Sequence, residues 1–266
     1  MQVDLSSSAG FPLTLDTRSG ALTGSGSICF GRIARRLADL MPVLFEPDGV
    51  APDTELYLTC PLLDAGPATS ALAQRDLTYS CVLLPPLKIG REFVKTQGHY
   101  HPPMPGSDIE YPEVYTHLCG EPDLLLQRRT KGEPSHVDDC VLVELRAGNS
   151  ITIPPGYAHI LINRSWQVAA IAGLYSRSFA PIYEPVNQVG GAAYYLIDDS
   201  ITPVITNPRY ADHPPLRHLT ELTGTTFEPP DPGRTLWASF LSDPARYDFL
   251  SDPEAARRRF ARETGP

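Results

Sequence analysis

The chain has 266 residues, of which 42% are hydrophobic and 20% are charged. A chain of this length can bury a large core as a single barrel or sandwich, so one domain is favoured over two. The 28 prolines and 20 glycines favour many short strands joined by turns over long helices. The net charge of -9 argues against nucleic acid or an anionic membrane as a partner.

The N-terminus lacks the basic and hydrophobic regions of a signal peptide, and no apolar run is long enough to span a bilayer. These features predict a cytoplasmic protein. The five cysteines are scattered and show no C-x-x-C spacing, which favours reduced, packed thiols over disulfides or a thiolate metal site.

The predicted elements begin with a strand and turn at residues 11–20. A helix follows at residues 31–41, where apolar residues recur at helical spacing until Pro42. Apolar runs rich in β-branched residues and separated by turns then predict an antiparallel double-sheet barrel. These predicted strands cover residues 55–60, 77–84, 91–101, 112–118, 123–128, 140–145, 150–153, 157–163, 167–175 and 193–197.

The last part of the chain has a different composition. Residues 214–233 are rich in proline, threonine and glutamate, which favours a surface arm. A cap, an early proline and acid, and late arginines predict a terminal helix at residues 251–262. The predicted organisation is a barrel domain over residues 1–212 and an extension over residues 213–266. Aromatic residues that could pack the extension on the barrel or on a second subunit are Trp237, Phe240, Tyr247 and Phe249.

Residues 148–163 fit the pattern G-x5-P-x-G-x2-H-x3-N at every fixed position. A strand there reaches a Pro-Gly turn, and the next strand carries His159. This pattern is similar to the second signature of the cupin barrels. It makes His159 a candidate metal ligand.

Two histidines one residue apart lie upstream. Side chains two apart on a strand share one face, so His99 and His101 can reach a single ion. Several carboxylates follow, but only Glu113 has a glycine at the distance set by E-x6-G, the end of the first cupin signature. With His159 these residues would form a mixed nitrogen and oxygen site that suits iron, manganese, nickel or zinc. The residues between the ligands, 102–112, are expected to arch over its mouth.

Beyond these signatures, the chain resembles the cupin-type phosphoglucose isomerases, the glucose-6-phosphate isomerases of the cupin superfamily. The likeness covers about residues 11–210, and its most specific part is the string at residues 90–101 around the histidine pair. It implies an all-β fold, the double-stranded β-helix or jelly-roll barrel, here with an N-terminal helix and a C-terminal helical extension. It also implies an aldose-ketose isomerase of glycolysis and gluconeogenesis. We further expect a homodimer.

The resemblance implies roles for particular residues. One divalent metal would be held by His99, His101, Glu113 and His159, and Glu113 is also the candidate catalytic base. The hydroxyl, phenol and backbone N–H groups of a pocket can donate to phosphate oxygens where a strong positive charge is lacking. The candidates for substrate binding are Tyr57, Thr96, Gly98, Tyr115, Tyr175 and Tyr183.

Two positions differ from the family. A threonine that contacts the phosphate is replaced by Cys81, with Ser80 on the opposite face, and a pocket histidine is replaced by Pro181. Three functions therefore stay open at this point. The first is a metal-dependent sugar-phosphate isomerase, and the second is an iron oxygenase or another small-molecule isomerase or epimerase that uses a substrate without phosphate. The third is a ligand-binding cupin without turnover.

Overall fold

The computed structural model describes residues 1–24, 27–29, 32–64, 67–130 and 132–261. Short strands make up most of its regular structure. The strands are β1 (Gln2–Asp4), β2 (Thr14–Asp16), β3 (Ala21–Thr23), β4 (Ser27–Cys29), β5 (Ile33–Arg36), β6 (Glu55–Asp64), β7 (Leu77–Leu84), β8 (Lys88–Ile89), β9 (Glu92–Phe93), β10 (Glu113–Cys119), β11 (Pro122–Arg129), β12 (Val137–Glu144), β13 (Ser150–Ile153), β14 (Tyr157–Asn163), β15 (Ala169–Ser176), β16 (Tyr194–Leu196), β17 (Val204–Thr206) and β18 (Arg217–Leu219).

The helices are short and lie outside the strand-rich centre of the chain. They are α1 (Ser6–Ala9), α2 (Leu37–Leu40), α3 (Pro67–Gln74), α4 (Glu184–Gln188), α5 (Leu236–Ser242) and α6 (Pro253–Phe260), with 3-10 helices at Met41–Val43 and Pro244–Leu250. Within the described part of the chain, none of the helices has the length and apolarity needed to cross a membrane.

Two sheets form the jelly-roll barrel that the sequence predicts. The larger has the order β13-β10-β15-β7-β6-β4, with β5 also paired to β6, and the smaller has the order β14-β11-β12-β18. Buried residues of both sheets, among them Tyr115, Ile171, Leu126 and Leu161, join one hydrophobic cluster between them. The barrel interior therefore lies between the inner faces of the two sheets.

The larger sheet separates the barrel interior from a second core. Successive side chains of a strand point to opposite faces, and directly paired residues share a face. Glu113 pairs with Tyr175, and Tyr115 pairs with Gly173, so these four positions belong to the inner face. Val114 lies between them on the outer face and packs in a different cluster. The site described below is built on the inner face.

Both ends of the chain cover the outer face. Leu5 and Leu13 from the N-terminal segment share a buried cluster with residues of β7 and β15 and with the C-terminal helices. The indole of Trp237 lies 5.1 Å from the ring of Tyr79 and 5.6 Å from that of Phe11, centroid to centroid. The aromatic residues expected to pack the extension are all buried in this cluster, namely Trp237, Phe240, Tyr247 and Phe249. The division of the chain at residues 212 and 213 stays a prediction.

The prediction of a helix at residues 31–41 is wrong for most of this segment. Residue 31 lies outside the described residues, Ile33–Arg36 form β5, and only Leu37–Leu40 form a helical turn, which the 3-10 helix Met41–Val43 continues. The edge of β6 supplies hydrogen-bond partners for β5, and this pairing outweighs the helical spacing of the apolar residues. Ile33, which the helix would have buried, is 55% exposed.

The C-terminal segment matches the prediction in part. α6 starts after Asp252, whose carboxylate accepts hydrogen bonds from the backbone N–H groups of Glu254 and Ala255 at 2.8 and 3.1 Å. The predicted surface arm is tied down in two places. β18 pairs parallel with β12, and the backbone N–H of Thr152 donates to the carbonyl of Phe227 at 2.9 Å. α3 and α5 were not predicted.

Candidate metal centre and substrate pocket

Three imidazoles converge inside the barrel. The ligand nitrogens of His99, His101 and His159 all lie within 4.8 Å of one another, and the Nε2 atoms of His99 and His101 are 3.2 Å apart. The strand predicted at residues 91–101 is regular only at Glu92–Phe93. An isolated antiparallel bridge between His99 and His159 nevertheless brings the histidine pair to β14. The structure therefore brings together the three histidines that the motifs selected.

A carboxylate from the opposite sheet reaches the same point. The Oε2 atom of Glu113 lies 3.4 Å from Nε2 of His159 and 3.6 Å from Nε2 of His101. Gly173, directly across from Tyr115, leaves the space that this carboxylate uses. A Cβ atom at residue 173 would lie 2.6 Å from Oε1 of Glu113 and 2.9 Å from the Tyr115 ring.

The chemistry of these residues fits a bound cation. Burial lowers the pKa of His101 to about 4 and holds the pKa values of His99 and His159 well below their usual range, which keeps the imidazoles neutral and able to ligate. Burial also raises the pKa of Glu113. Both ring nitrogens of His159 are buried without a hydrogen-bond partner among the described residues. Such orphaned polar atoms are costly unless an ion or water satisfies them.

One ligand is oriented by the loop that follows it. Nδ1 of His101 lies 2.7 Å from the backbone carbonyl oxygen of Tyr111, so this nitrogen donates and Nε2 is left to face the cluster. The loop is itself anchored, because Met104 and Tyr111 are buried in the outer cluster. The insertion expected to arch over the site therefore also orients a candidate ligand. Together these observations fit a divalent metal.

The tyrosines implied by the resemblance lie around the imidazoles. The ring of Tyr115 is 5.5 Å from that of His159, and the ring of Tyr183 is 5.3 Å from that of His99, centroid to centroid. Tyr175 is paired with Glu113 across β10 and β15. Burial is the main cause that raises the pKa values of Tyr57, Tyr115 and Tyr175, so all three phenols stay protonated and can donate hydrogen bonds.

Thr96 and Gly98 have structural roles that leave their donors available. Oγ1 of Thr96 accepts a hydrogen bond from the backbone N–H of Leu161 at 3.0 Å, which leaves its own hydroxyl hydrogen to donate. Gly98 has a φ of +78°, and a Cβ atom there would lie 2.6 Å from Cγ1 of Ile160. A residue without Cβ is therefore required between Thr96 and the histidine pair.

Similarity to known proteins decides the family. A family model for glucose-6-phosphate isomerase matches residues 34–211. The chain belongs to the glucose-6-phosphate isomerase family. Curated members include an enzyme from Thermococcus gammatolerans, 25% identical over 208 residues that cover 76% of this chain and 96% of the relative. Another, from Thermococcus litoralis, is 30% identical over 135 residues that cover 51% of this chain and 65% of the relative.

Two solved structures to which the chain is similar are distant matches. An oxalate decarboxylase from Bacillus subtilis is 14% identical with a TM-score of 0.33, over 48% of this chain and 28% of that chain. An oxalate oxidase in complex with glycolate is 17% identical with a TM-score of 0.32, over 64% of this chain and 60% of that chain.

The structure corrects the assignment of a pocket residue to Cys81. In this member of the glucose-6-phosphate isomerase family, Cys81 pairs with Ala172 on the outer face and is buried in the outer cluster. Ser80 pairs with Gly173 on the inner face, and its Oγ lies 3.1 Å from the phenolic oxygen of Tyr175. The hydroxyl of Ser80, and not the thiol of Cys81, therefore lies on the face of β7 that carries the pocket.

An aromatic residue that the sequence analysis missed lies near Pro181, the second position expected to differ from the family. Pro181 is exposed, whereas the nearby Phe179 lies with its ring centroid 4.3 Å from that of His101. Phe179 also stacks on Tyr111 at 4.9 Å. Phe179 thus packs against one imidazole in the segment where the family carries a pocket histidine. No spacing pattern in the sequence singles it out.

Arg35 is a second residue that the sequence reasoning missed, because the predicted helix placed it on a solvated face. Its guanidinium carbon lies 5.4 Å from the ring centroid of Tyr183, beside the imidazole cluster. The strand pairing of β5 is the signal that could have found it, since Arg35 is directly opposite Tyr57.

Proposed function

We propose that this protein is a metal-dependent aldose-ketose isomerase that interconverts glucose 6-phosphate and fructose 6-phosphate. The observation that carries the proposal is the convergence of three neutral imidazoles and one carboxylate in a chain of the glucose-6-phosphate isomerase family. Curated relatives over most of the chain carry that enzyme's name. The cofactor in this proposal is one divalent transition metal, among iron, manganese, nickel and zinc.

The proposed ligands are His99, His101, Glu113 and His159. The three imidazoles supply neutral nitrogen donors, and the carboxylate supplies one negative charge. When bound, a divalent ion would stabilise negative charge that develops on the C1 and C2 oxygens of the open-chain sugar. Tyr111, through its carbonyl, holds one of the imidazoles in the orientation that this role requires.

Glu113 is the proposed base for the hydrogen transfer between C1 and C2. In the enediolate route its carboxylate takes a proton from one carbon and returns it to the neighbouring carbon. Its position supports this role, because one carboxyl oxygen lies toward the imidazoles and the other lies beside Gly173 and Tyr115. In the alternative route hydride moves directly between the carbons. Substrate carrying deuterium at C2 separates the two, since only the enediolate route exchanges the label with water.

The sugar phosphate is proposed to lie among hydrogen-bond donors around the imidazoles. Neutral phenols and a threonine hydroxyl can each donate to hydroxyl or phosphate oxygens. Tyr57 and Tyr115 are buried, and Thr96, Tyr175 and Tyr183 are half-buried, which limits the access of water to the reacting carbons. The proposed substrate-binding residues are Tyr57, Thr96, Gly98, Tyr115, Tyr175 and Tyr183, to which the geometry adds Ser80.

The experiment uses purified protein that is stripped of metal and reloaded with each divalent ion. We expect interconversion of fructose 6-phosphate with glucose 6-phosphate, with and without dioxygen. Inactivity on glucose, fructose and mannose 6-phosphates would remove the proposal, and activity that consumes dioxygen would favour an oxygenase. His159→Ala should lose bound metal by elemental analysis together with turnover. The matched control is His136→Ala, which removes a half-buried histidine that is paired with Glu133, and this variant should retain both.

We also propose that the enzyme acts as a homodimer in the cytoplasm. The composition supports the absence of nucleic acid and membrane partners, because the net charge of -9 repels polyanionic surfaces. The mass measured by light scattering at several protein concentrations tests the dimer.

A further inference from the structure

The strand β5 turns one arginine toward the barrel interior. Arg35 is directly opposite Tyr57 in the antiparallel pair of β5 and β6. Directly opposite residues share a face of the sheet. Arg35 is half-buried, whereas Arg36, the next residue, is exposed. The alternation of β5 therefore brings a cation to the same side as a pocket tyrosine.

Arg35 contacts the aromatic residues of the pocket. Its guanidinium carbon lies 5.4 Å from the ring centroid of Tyr183, whose own ring is 5.3 Å from that of His99. After burial and the neighbouring His101, the positive charge of Arg35 is a further cause that lowers the pKa of His99. Tyr183 thus contacts both the cation and the imidazole cluster.

Among the described residues, Arg35 makes no ion pair with a carboxylate, although the charge of Asp39 acts on it from a greater distance. Within the part of the chain that the structure describes, no Asp or Glu oxygen lies within 4.0 Å of the Arg35 guanidinium, whereas Arg32 on the outside of the same segment pairs with Glu55 at 2.5 Å. A half-buried guanidinium has five N–H donors in a planar fork, and it pairs with phosphate through two parallel hydrogen bonds. Burial acts to lower the pKa of Arg35, and the nearby phenol of Tyr183 is the main group that acts to raise it.

The same place is reached by the segment of Thr96 and Gly98, which is proposed above to bind the substrate. Burial raises the pKa of Tyr57, and the backbone of Gln97, which lies between Thr96 and Gly98, acts in the opposite direction. Arg35, opposite Tyr57, therefore lies at the same end of the pocket as these donors. An anion held there would extend its carbon chain past Tyr183 toward the imidazoles.

We propose that Arg35 binds the phosphate group of the substrate and so makes the pocket selective for phosphorylated over neutral sugars. This inference rests on the proposed function. The Arg35 guanidinium supplies a local positive charge, which a chain of net charge -9 does not provide at long range. In this proposal Arg35 binds the substrate and does not hold the metal.

The test compares Arg35→Met and Arg35→Lys with the wild type and with the control Arg36→Met, which removes an exposed arginine from the adjacent position. The first measurement is the KM and kcat for fructose 6-phosphate with the metal-loaded enzymes. We expect Arg35→Met to raise KM by about 10-fold to 100-fold with a smaller effect on kcat, because charge-assisted hydrogen bonds of about 1.5–3 kcal/mol are lost. Arg35→Lys should recover part of this loss, and Arg36→Met should match the wild type.

A second measurement is independent of turnover. Titration calorimetry gives the Kd of each protein for sorbitol 6-phosphate, which cannot isomerise. Arg35→Met should weaken this binding by a similar factor. If Arg35→Met does not fold, the Kd of Arg35→Lys decides: weakened binding supports the inference, and binding within twofold of the wild type overturns it.

The two proposals fail in different ways. A wild type that turns over no sugar phosphate but binds sorbitol 6-phosphate through Arg35 would refute the isomerase function and support the phosphate site. An active wild type whose KM and Kd change by less than twofold in Arg35→Met would leave the isomerase function standing and overturn this inference.

Discussion

The Oγ atom of Ser80 lies 3.1 Å from the phenolic oxygen of Tyr175, and both residues belong to the inner face of the larger sheet. A hydroxyl thus lies beside a pocket phenol, whereas the adjacent Cys81 is packed on the outside. We expect Ser80→Ala to raise the KM for the sugar phosphate by about 2-fold to 10-fold, because a neutral hydrogen bond of about 0.5–1.5 kcal/mol is removed.

The neighbouring cysteine supplies the control. Cys81→Ala should leave KM and kcat unchanged and lower the free energy of unfolding by about 1 kcal/mol, since packing on the outer face is lost. Steady-state kinetics and urea unfolding of both variants make the comparison. A raised KM in Cys81→Ala with wild-type kinetics in Ser80→Ala would contradict the register of β7.

Gly173 keeps open the space that the Glu113 carboxylate fills. In Gly173→Ala the new Cβ would lie 2.6 Å from Oε1 of Glu113, so the carboxylate must move. We expect at least about a tenfold loss of kcat/KM. A displaced carboxylate needs to raise the activation free energy by only about 1.4 kcal/mol to give that factor. Bound metal should fall as well. Ala172→Ser adds one atom to the adjacent residue on the outer face and should lower stability without this loss; equal effects would refute the role of Gly173.

Gln127 is buried and joins three parts of the structure on the outer face of the smaller sheet. Its Nε2 donates to the hydroxyls of Tyr100 and Tyr210 at 3.1 and 2.8 Å, and its Oε1 accepts from the backbone N–H of Ala193 at 2.8 Å. Gln127→Leu leaves buried partners unsatisfied, which should lower the free energy of unfolding by about 3 kcal/mol. Urea titration measures the loss. Gln188→Leu on the surface should change stability by less than about 0.5 kcal/mol.

The acid stability of the protein should depend in part on Asp139. Burial acts to raise the pKa of Asp139, but hydrogen bonds from Arg217 and Tyr157 outweigh it and leave the pKa below its ordinary value. A carboxyl with a depressed folded pKa adds stability above its unfolded pKa, about 3.9, and this stability is lost as the pH falls through the folded pKa. Asp139→Asn should therefore lose less stability than the wild type between pH 7 and pH 3.

Urea midpoints at the two pH values test this expectation. Asp138→Asn provides the comparison, because Asp138 makes an exposed ion pair with Arg128. The idea fails if Asp139→Asn and the wild type lose the same stability on acidification.

The barrel and the candidate metal ligands were predictable because both follow from local rules. Alternation along extended segments puts His99 and His101 on one side, and the Pro-Gly turn fixes where the strand with His159 begins. The E-x6-G spacing selected the same carboxylate that the structure brings within 3.6 Å of the imidazoles. Composition and turn spacing were enough to indicate a double-sheet barrel.

The residues that were missed depend on pairing between distant segments. Helical spacing of apolar residues favoured a helix through Arg35, yet hydrogen bonds to β6 made that segment a strand and turned the guanidinium inward. The choice between Ser80 and Cys81 depended on a shift of one residue, and such a shift reverses every side chain of a strand. Phe179 reaches His101 only through the folded loop that follows β15. No local pattern records these relationships.

The position of Trp237 against Tyr79 and Phe11 has a consequence for synthesis on the ribosome. Strands from the middle of the chain can pair soon after they emerge, but the part of their outer face that α5 and α6 cover stays exposed until those helices follow. An exposed apolar face is prone to aggregation while the chain is unfinished. Slow translation of the final segment should therefore reduce the yield of folded protein more than slow translation of the first.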